Sequence, residues 1–347
     1  MTERDIYRLP RERLDALVER LARDYRVFGP AQRGSTHAWE ELQPGDPIAL
    51  DYPTTMLPLR ALLAPQREVL FTYRRGEDGA IAFDPPAAER PLALLGVHGC
   101  DLTGLRVLRA FHDSGTRDRL VTNRLDHAFI LGLACWVPCL AEAFCRDMGS
   151  LDNEIPADLY AWDIGDVLLV QVLTSRGREI LADATPLAPA TAEEMVTLRR
   201  RLRVRLEAFP QHLKFPPDRL PVALDAAETD LLWDANADRC LSCGRCNLVC
   251  PTCTCFDVTD TAPLDGRTGI RVRTWSGCQV TGFSRVAGGH DFRPSRAQQL
   301  RYRIFRKGKY MPERYGMVGC TGCGRCPHHC PTRISIREIF RQVGGTA

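Results

Sequence analysis

The sequence lacks an apolar run long enough to cross a membrane. The longest, FILGLACWVPCLA at 129–141, falls short of the roughly 20 residues that a helical span needs, and it contains a proline. The first residues, MTERDIYRLPRERL, lack the apolar segment and small-residue cleavage site of a secretory signal. These two absences predict a cytoplasmic protein without a membrane span.

Nucleotide-binding signatures are missing as well. The chain contains neither G-x-G-x-x-G nor G-x4-G-K-[ST], so nothing in the sequence indicates a dinucleotide or P-loop site. The segment GLACWVPC has no C-x-x-C spacing, which excludes a thioredoxin-like dithiol at that position. The chemistry of the chain must therefore be sought in other residues.

Cysteine, by contrast, is abundant. The 347 residues include 15 cysteines, and many of them stand in C-x-x-C spacings. The odd total and the missing secretory signal argue against a framework of disulfides. Such spacings favour reduced thiols that bind metal.

Two segments of the chain repeat one cysteine pattern position for position. CLSCGRCNLVCP at 240–251 and CTGCGRCPHHCP at 320–331 both fit C-x2-C-x2-C-x3-C-P. In two-cluster ferredoxins the first three cysteines of this pattern hold one 4Fe–4S cluster, and the fourth ligates the other cluster. The pattern predicts two clusters, one held by Cys240, Cys243, Cys246 and Cys330 and the other by Cys320, Cys323, Cys326 and Cys250. Zinc is the alternative, but zinc sites need neither the duplicated triplet nor the trailing C-P.

Seven cysteines lie outside these two motifs. For any one of them, a small buried hydrophobic side chain is the ordinary interpretation. They nevertheless form two groups that are candidates for a third cluster or metal site: Cys100, Cys135, Cys139 and Cys145 in the N-terminal part, or Cys253, Cys255 and Cys278 with one further ligand. Cys100 and Cys135 follow predicted strands, where α/β folds commonly build sites. Three histidines stand beside cysteines, His98, His328 and His329. Each is a candidate ligand or proton carrier, with a simple polar neighbour as the ordinary interpretation.

Strand and helix patterns alternate through the first 220 or so residues. The stretch 90–113 predicts a buried strand, a tight turn and a helix with Asp101 as its N-cap. A second helix is predicted at 191–209, and PIALDYP at 47–53 has β-like composition. This alternation predicts an α/β domain at residues 1–225.

The proline-rich segment 215–225 marks the boundary to a region of different character. Residues 226–347 are rich in cysteine and poor in strand signals, and 295–316 has helical composition. We therefore expect a mainly helical ferredoxin-like domain with two 4Fe–4S clusters at 226–347.

Charge divides the chain in the same place. From Cys240 onward there are 17 Lys and Arg against 6 Asp and Glu, and before it 29 against 37. A 4Fe–4S cube held by four thiolates is an anion, so nearby Arg side chains stabilise it and raise its reduction potential. Nucleic-acid binding is not expected, because no recognised binding motif accompanies the positive charge.

Several stretches resemble the β subunit of cytoplasmic nickel–iron hydrogenases of the sulfhydrogenase type. They are CLSCGRCNLVCPTCTCFDV, VRTWSGCQVTGFSRVAGGHDFR and YGMVGCTGCGRCPHHCP, together with PTTMLPLRALLAPQREVLF, GVHGCDLTGLRVL and FCRDMGS in the N-terminal part. The chain also resembles, more distantly, the iron–sulfur A subunit of anaerobic sulfite reductases. One departure is that Ala143 and Phe144 precede Cys145 where a Cys-Phe-Cys run is expected.

The resemblance implies an electron-transfer subunit of a hydrogenase complex that exchanges electrons between hydrogen and NAD(P). Its partners would be the hydrogenase small and large (NiFe) subunits and an FAD/NAD(P)-binding iron–sulfur subunit. The eight motif cysteines would hold the two clusters, and the chain would not be catalytic alone. Two alternatives stay open: the same relay role in an anaerobic sulfite or sulfur reductase, and a zinc-stabilised binding module.

Overall fold

The computed structural model describes residues 5–151 and 156–345, and the predicted domain ranges extend beyond them at both ends. A seven-stranded sheet forms the centre of the N-terminal part. Its strands are β1 Ile6–Pro10, β2 Arg26–Arg33, β3 Thr36–Glu41, β6 Leu92–His98, β7 Phe129–Leu133, β8 Leu159–Asp163 and β9 Val167–Val172. Their order is β1-β9-β8-β7-β6-β2-β3, and β2, β6, β7 and β8 run parallel to their neighbours within that group.

The centre of this sheet is formed by continuous apolar sequence. Every residue of β6, LALLGVH, and of β7, FILGL, is buried. Such runs are typical of parallel strands that are covered on both faces. The covering helices are α1 Leu14–Ala22 and α5 Ser175–Ala184 against one core cluster, and α3 Gly99–Asp113 and α6 Ala192–Ala208 against the other. Two further helices complete this part, α2 Arg60–Leu63 and α4 Arg119–His127.

A second sheet combines strands from the two halves of the sequence. Its strands are β4 Arg67–Arg75, β5 Ile81–Asp84, β10 Phe256–Thr261 and β11 Thr268–Trp275, in the antiparallel order β10-β11-β4-β5. Arg273 on β11 forms ion pairs with Glu68 on β4 and with Asp118 before α4. The α/β character of the fold is confirmed, but the expectation of a mainly helical C-terminal region is not, because this region also contributes two strands.

The remaining regular elements of the C-terminal part are short helices. They are α7 Leu220–Ala226, α8 Leu232–Ala237, α9 Arg245–Leu248, α10 Arg296–Phe305, α11 Met311–Tyr315, α12 Arg325–His328 and α13 Ile336–Gly344. A π-helical turn, Arg306–Tyr310, joins α10 to α11, and short 3-10 turns lie at Arg11–Arg13 and Pro217–Arg219. Leu224, Trp233, Ile304 and Phe340 are among the residues of a third core cluster beneath these helices.

The structure corrects two local expectations. The N-cap of α3 is His98 rather than Asp101, whose carboxylate in the first turn pairs with Arg325 instead. The stretch 47–53 forms no strand. The helix expected at 191–209 is present as α6, which begins with a capping box between Thr191 and Glu194. Within the described part of the chain, no helix is long and apolar enough to span a membrane.

Candidate metal centres

The two cysteine motifs share one local backbone structure. Gly244 and Gly324 adopt left-handed conformations, with φ of 72° and 76°, at the start of α9 and α12. The residue before the second cysteine of each motif is also left-handed, Ser242 at φ 48° and Gly322 at φ 68°. Left-handed residues reverse the chain direction within a few residues, as a segment must do to gather three cysteines around one centre.

The first motif lines a cavity next to α10 and α13. Its cysteines Cys240, Cys243 and Cys246 meet Cys330 of the second motif there, with Cys326 also at the wall. The remaining wall is largely apolar, and includes Leu300, Ile304, Ile334, Ile336 and Ile339. The structure therefore brings together the four cysteines of the first predicted set beside a largely apolar wall.

The second motif lines an adjacent cavity. Cys320, Cys323 and Cys326 meet Cys250 of the first motif at its wall, so the second predicted set is also brought together. Cys326 and Arg303 line both cavities, which places the two sites side by side. That these eight thiols ligate clusters remains a prediction, which the spacing of the motifs and their grouping in space both favour.

Buried cations lie between and beside the two cavities. Arg303 is 4% exposed and donates to the carbonyl of Cys246 at 3.3 Å; Lys307 is 2% exposed and donates from Nζ to the Thr252 hydroxyl at 2.6 Å. Neither has a carboxylate partner within residues 5–151 and 156–345. A buried charge without a counter-charge is costly, so these two side chains favour an anionic group in the neighbouring cavities.

Nearby sulfur atoms determine how these cations titrate. Burial acts against the charge of Arg303, but the sulfurs of Cys246 and Cys326 raise the pKa of its guanidinium well above the usual value. Burial likewise opposes the charge of Lys307, and the sulfurs of Cys250 and Cys253 raise the pKa of its amine. Both side chains are therefore cationic at neutral pH.

Several buried polar atoms on the cavity walls lack a hydrogen-bond partner in the described residues. They are Arg303 Nε and Gln279 Nε2 at the first cavity, with Thr321 Oγ1 at the second. Buried donors are normally satisfied, and the sulfur atoms of iron–sulfur clusters accept such hydrogen bonds. The donor set, the thiols and the positive charge thus fit two 4Fe–4S clusters.

Burial also affects the thiols themselves. It raises the pKa of Cys246 to about 12 and that of Cys326 to about 11. Since thiolates and not thiols bind metal, these cysteines must lose their protons when metal binds.

The second motif is held against the α/β domain by a buried ion pair. Arg325 and Asp101 are 0% and 1% exposed, and the guanidinium donates to the Asp101 carboxylate at 2.6 Å. Arg325 Nε also donates to the carbonyl of Thr55 at 3.1 Å. A Cβ on Gly322 would lie 2.6 Å from the carbonyl carbon of Phe144, so only glycine permits this close approach.

The seven cysteines outside the motifs form two groups, of which only one lines a cavity. Cys100, Cys135, Cys139 and Cys145 line one further cavity in the α/β domain, which Cys323 of the second motif also touches. Cys253, Cys255 and Cys278 line none of these three cavities. Cys278 instead accepts a hydrogen bond from Asn247 Nδ2 at 3.5 Å.

Sequence reasoning missed the individual cations and the ion pair at these sites. The basic excess after Cys240 indicated charge compensation, but nothing distinguished Arg303 and Lys307 from the less buried basic residues around them. Arg325 stands in the same motif position as Arg245, so its pairing with Asp101 had no sequence signal.

Comparison with known proteins agrees with these observations. The profile of the 4Fe-4S dicluster domain family matches residues 239–334. The sulfhydrogenase 2 subunit beta of Pyrococcus furiosus is 31% identical over 337 residues, which cover 97% of this chain and 97% of that protein. No solved structure gives a significant match.

Proposed function

The chain belongs to the family of the sulfhydrogenase beta subunit, and we propose that it is the electron-transfer subunit of a cytoplasmic nickel–iron hydrogenase complex. It relays electrons between the hydrogen-reacting small and large subunits and an FAD/NAD(P)-binding iron–sulfur subunit. The chain is not catalytic alone. The C-terminal region, 226–347, acts as the two-cluster ferredoxin-like domain of this relay.

The observation that carries the proposal is the pair of adjacent cavities with Cys326 at the wall of both. Each cavity contains three cysteines of one motif and the fourth cysteine of the other, which is the crossed arrangement of a two-cluster ferredoxin. We assign Cys240, Cys243, Cys246 and Cys330 to the first 4Fe–4S cluster, and Cys320, Cys323, Cys326 and Cys250 to the second. When bound, such a cluster accepts and releases a single electron without a proton or a change of bonds.

The residues of the chain itself set the conditions for electron transfer. Isoleucine and leucine side chains shield the inner wall of the first cavity from water. Arg303 and Lys307 supply positive charge that stabilises the reduced, more negative state. Cys243 is exposed, so the first site is the one within reach of a partner subunit at the surface.

Anaerobic purification of the tagged chain from its native host tests the partners. We expect a nickel-containing partner and a flavin to co-purify, and hydrogen to reduce the iron–sulfur chromophore. Co-purification with a siroheme protein would instead identify a sulfite reductase subunit. A colourless chain with stoichiometric zinc would exclude the relay altogether.

A variant of the complex tests the relay role separately. Cys243→Ala should abolish most hydrogen-dependent NAD(P) reduction while hydrogen-dependent reduction of a viologen dye by the nickel–iron subunits persists. Cys255→Ala, which changes a cysteine outside the three cavities, is the matched control and should keep both activities. Full NAD(P) reduction by the Cys243 variant would contradict the proposed path.

A further inference from the structure

The α/β domain contains a cysteine-lined cavity of its own, outside the residues that match the dicluster family. Cys100 lies in the first turn of α3 after β6, and Cys135 and Cys139 lie in the loop after β7. Since β6 and β7 are parallel neighbours, their carboxyl ends meet at one edge of the sheet. Cys145, further along the same loop, completes the wall.

We propose that Cys100, Cys135, Cys139 and Cys145 bind a third 4Fe–4S cluster. Four thiols on one cavity match the ligand number of a cubane cluster. A third cluster would extend the proposed relay, but binding of a cluster by these four thiols does not depend on that function.

Position relative to the second site supports a cluster rather than four unrelated core cysteines. Cys323 lines both this cavity and the second motif cavity, as Cys326 lines both motif cavities. Phe144, beside Cys145, donates its backbone N–H to the carbonyl of Gly322 at 2.7 Å. The three cavities therefore form a row in which each neighbouring pair has a cysteine in common.

The polar surroundings of the cavity repeat those of the motif sites. Ser150 lines it, is 2% exposed, and its hydroxyl has no hydrogen-bond partner in the ranges that the structure describes. Arg205, 4% exposed, lines the same cavity and donates from Nε to the carbonyl of Cys135 at 2.7 Å. An unsatisfied buried hydroxyl beside four thiols suits a cluster whose sulfur atoms accept hydrogen bonds.

His98 provides the main competing chemistry. Its ring stacks on Tyr52 at 4.1 Å, and Nδ1 lies 3.6 Å from Cys139 Sγ. The ligand atoms of His98, Cys135 and Cys139 all lie within 4.8 Å of one another, a set that zinc could also use. We assign His98 to a hydrogen bond with the Cys139 sulfur, because four thiols are present without it.

In the relay the third site exchanges one electron with the second. One cluster is oxidised by one electron as its neighbour is reduced by one, and no proton or leaving group is involved. The neighbouring cluster is the donor or acceptor, so no further reagent is required.

The test is the iron, acid-labile sulfide and zinc content of the full chain, purified anaerobically. Wild type should contain about twelve irons, as three four-iron clusters require. Cys135→Ala/Cys139→Ala should lose about four irons and one reduced EPR signal, whereas the matched pair Cys255→Ala/Cys278→Ala should lose none. Because the first double variant removes two partly buried side chains, Cys139→Ser alone is a milder test and should change one EPR signal only.

Other outcomes would overturn the proposal in distinguishable ways. About eight irons in wild type would remove the third cluster and leave the two-cluster relay standing. Eight irons with one zinc, lost in both Cys135→Ala/Cys139→Ala and His98→Leu, would make this a zinc site. Loss of four irons in Cys255→Ala/Cys278→Ala instead would place the third cluster near the first motif. Absence of iron altogether would defeat the proposed function itself.

Discussion

The two cysteine motifs have the same cysteine pattern but lie in different surroundings. In the first, Cys243 and Arg245 are exposed. In the second, Arg325 occupies the position of Arg245 and is completely buried against Asp101. Ser242 carries a side chain in a left-handed conformation, whereas Gly322, at the equivalent position, meets the backbone of Phe144.

The difference shows that ligand geometry and docking are separate functions of one motif. Cysteine spacing and the left-handed turns are common to both copies, so they serve the metal site. The contacts of Arg325 and Gly322 belong to the second copy alone, so they serve its attachment to the α/β domain. Substitutions at equivalent positions should therefore have unequal effects.

The largest difference in stability between equivalent substitutions is expected at Arg325 and Arg245. Arg325→Met leaves the buried Asp101 carboxylate unpaired and should lower the free energy of unfolding by about 3–5 kcal/mol. Arg245→Met, at the exposed copy, should change it by less than about 0.5 kcal/mol. Anaerobic urea titration of both variants measures the difference. Equal losses would show that the arginine serves the metal site in both motifs.

A smaller difference is expected at the left-handed residue before the second cysteine. Gly322→Ala adds a Cβ at 2.6 Å from the Phe144 backbone in a left-handed conformation, and should cost about 2–4 kcal/mol of stability. Ser242→Ala adds no β-carbon, because serine already has one, and should change the free energy of unfolding by less than about 0.5 kcal/mol. The thermal unfolding midpoints of the two variants provide the check. Comparable stability of the Gly322 variant and wild type would contradict the close approach.

Charge beside the second motif should affect its cluster more than the first. Lys307→Met removes a buried positive charge and should lower one reduction potential by on the order of 50–100 mV. Lys309, on the same π-helical turn, pairs with Asp225 at the surface, so Lys309→Met is the matched control with little expected effect. Anaerobic redox titration followed by EPR measures both. A shift of the same size in the control would show that the effect is not specific to the buried amine.

The smallest effect should come from making the first motif resemble the second. Ser242→Gly relieves the left-handed strain of a non-glycine residue and should raise the free energy of unfolding by about 1 kcal/mol. Iron content should remain that of wild type. Loss of iron would show that the Ser242 side chain contributes to the site.

The sequence predicted the parts of this structure that depend on local rules. The grouping of the eight motif cysteines follows from spacing, and β6, β7 and α6 follow from apolar pattern and capping. The Arg325–Asp101 pair could not be predicted, because it joins distant residues whose packing depends on the whole fold. Strand β10 was missed since all six residues of FDVTDT are exposed and only the first few alternate between apolar and polar.

The four-stranded sheet has a consequence for how the protein is made. Strand β4 pairs with β11, which the ribosome completes only after most of the chain has been synthesised. Until then, the β4–β5 hairpin has a free edge and the Glu68 carboxylate lacks Arg273. The N-terminal half is thus expected to finish folding only once β11 has been synthesised, and truncation before β11 should leave an aggregation-prone fragment.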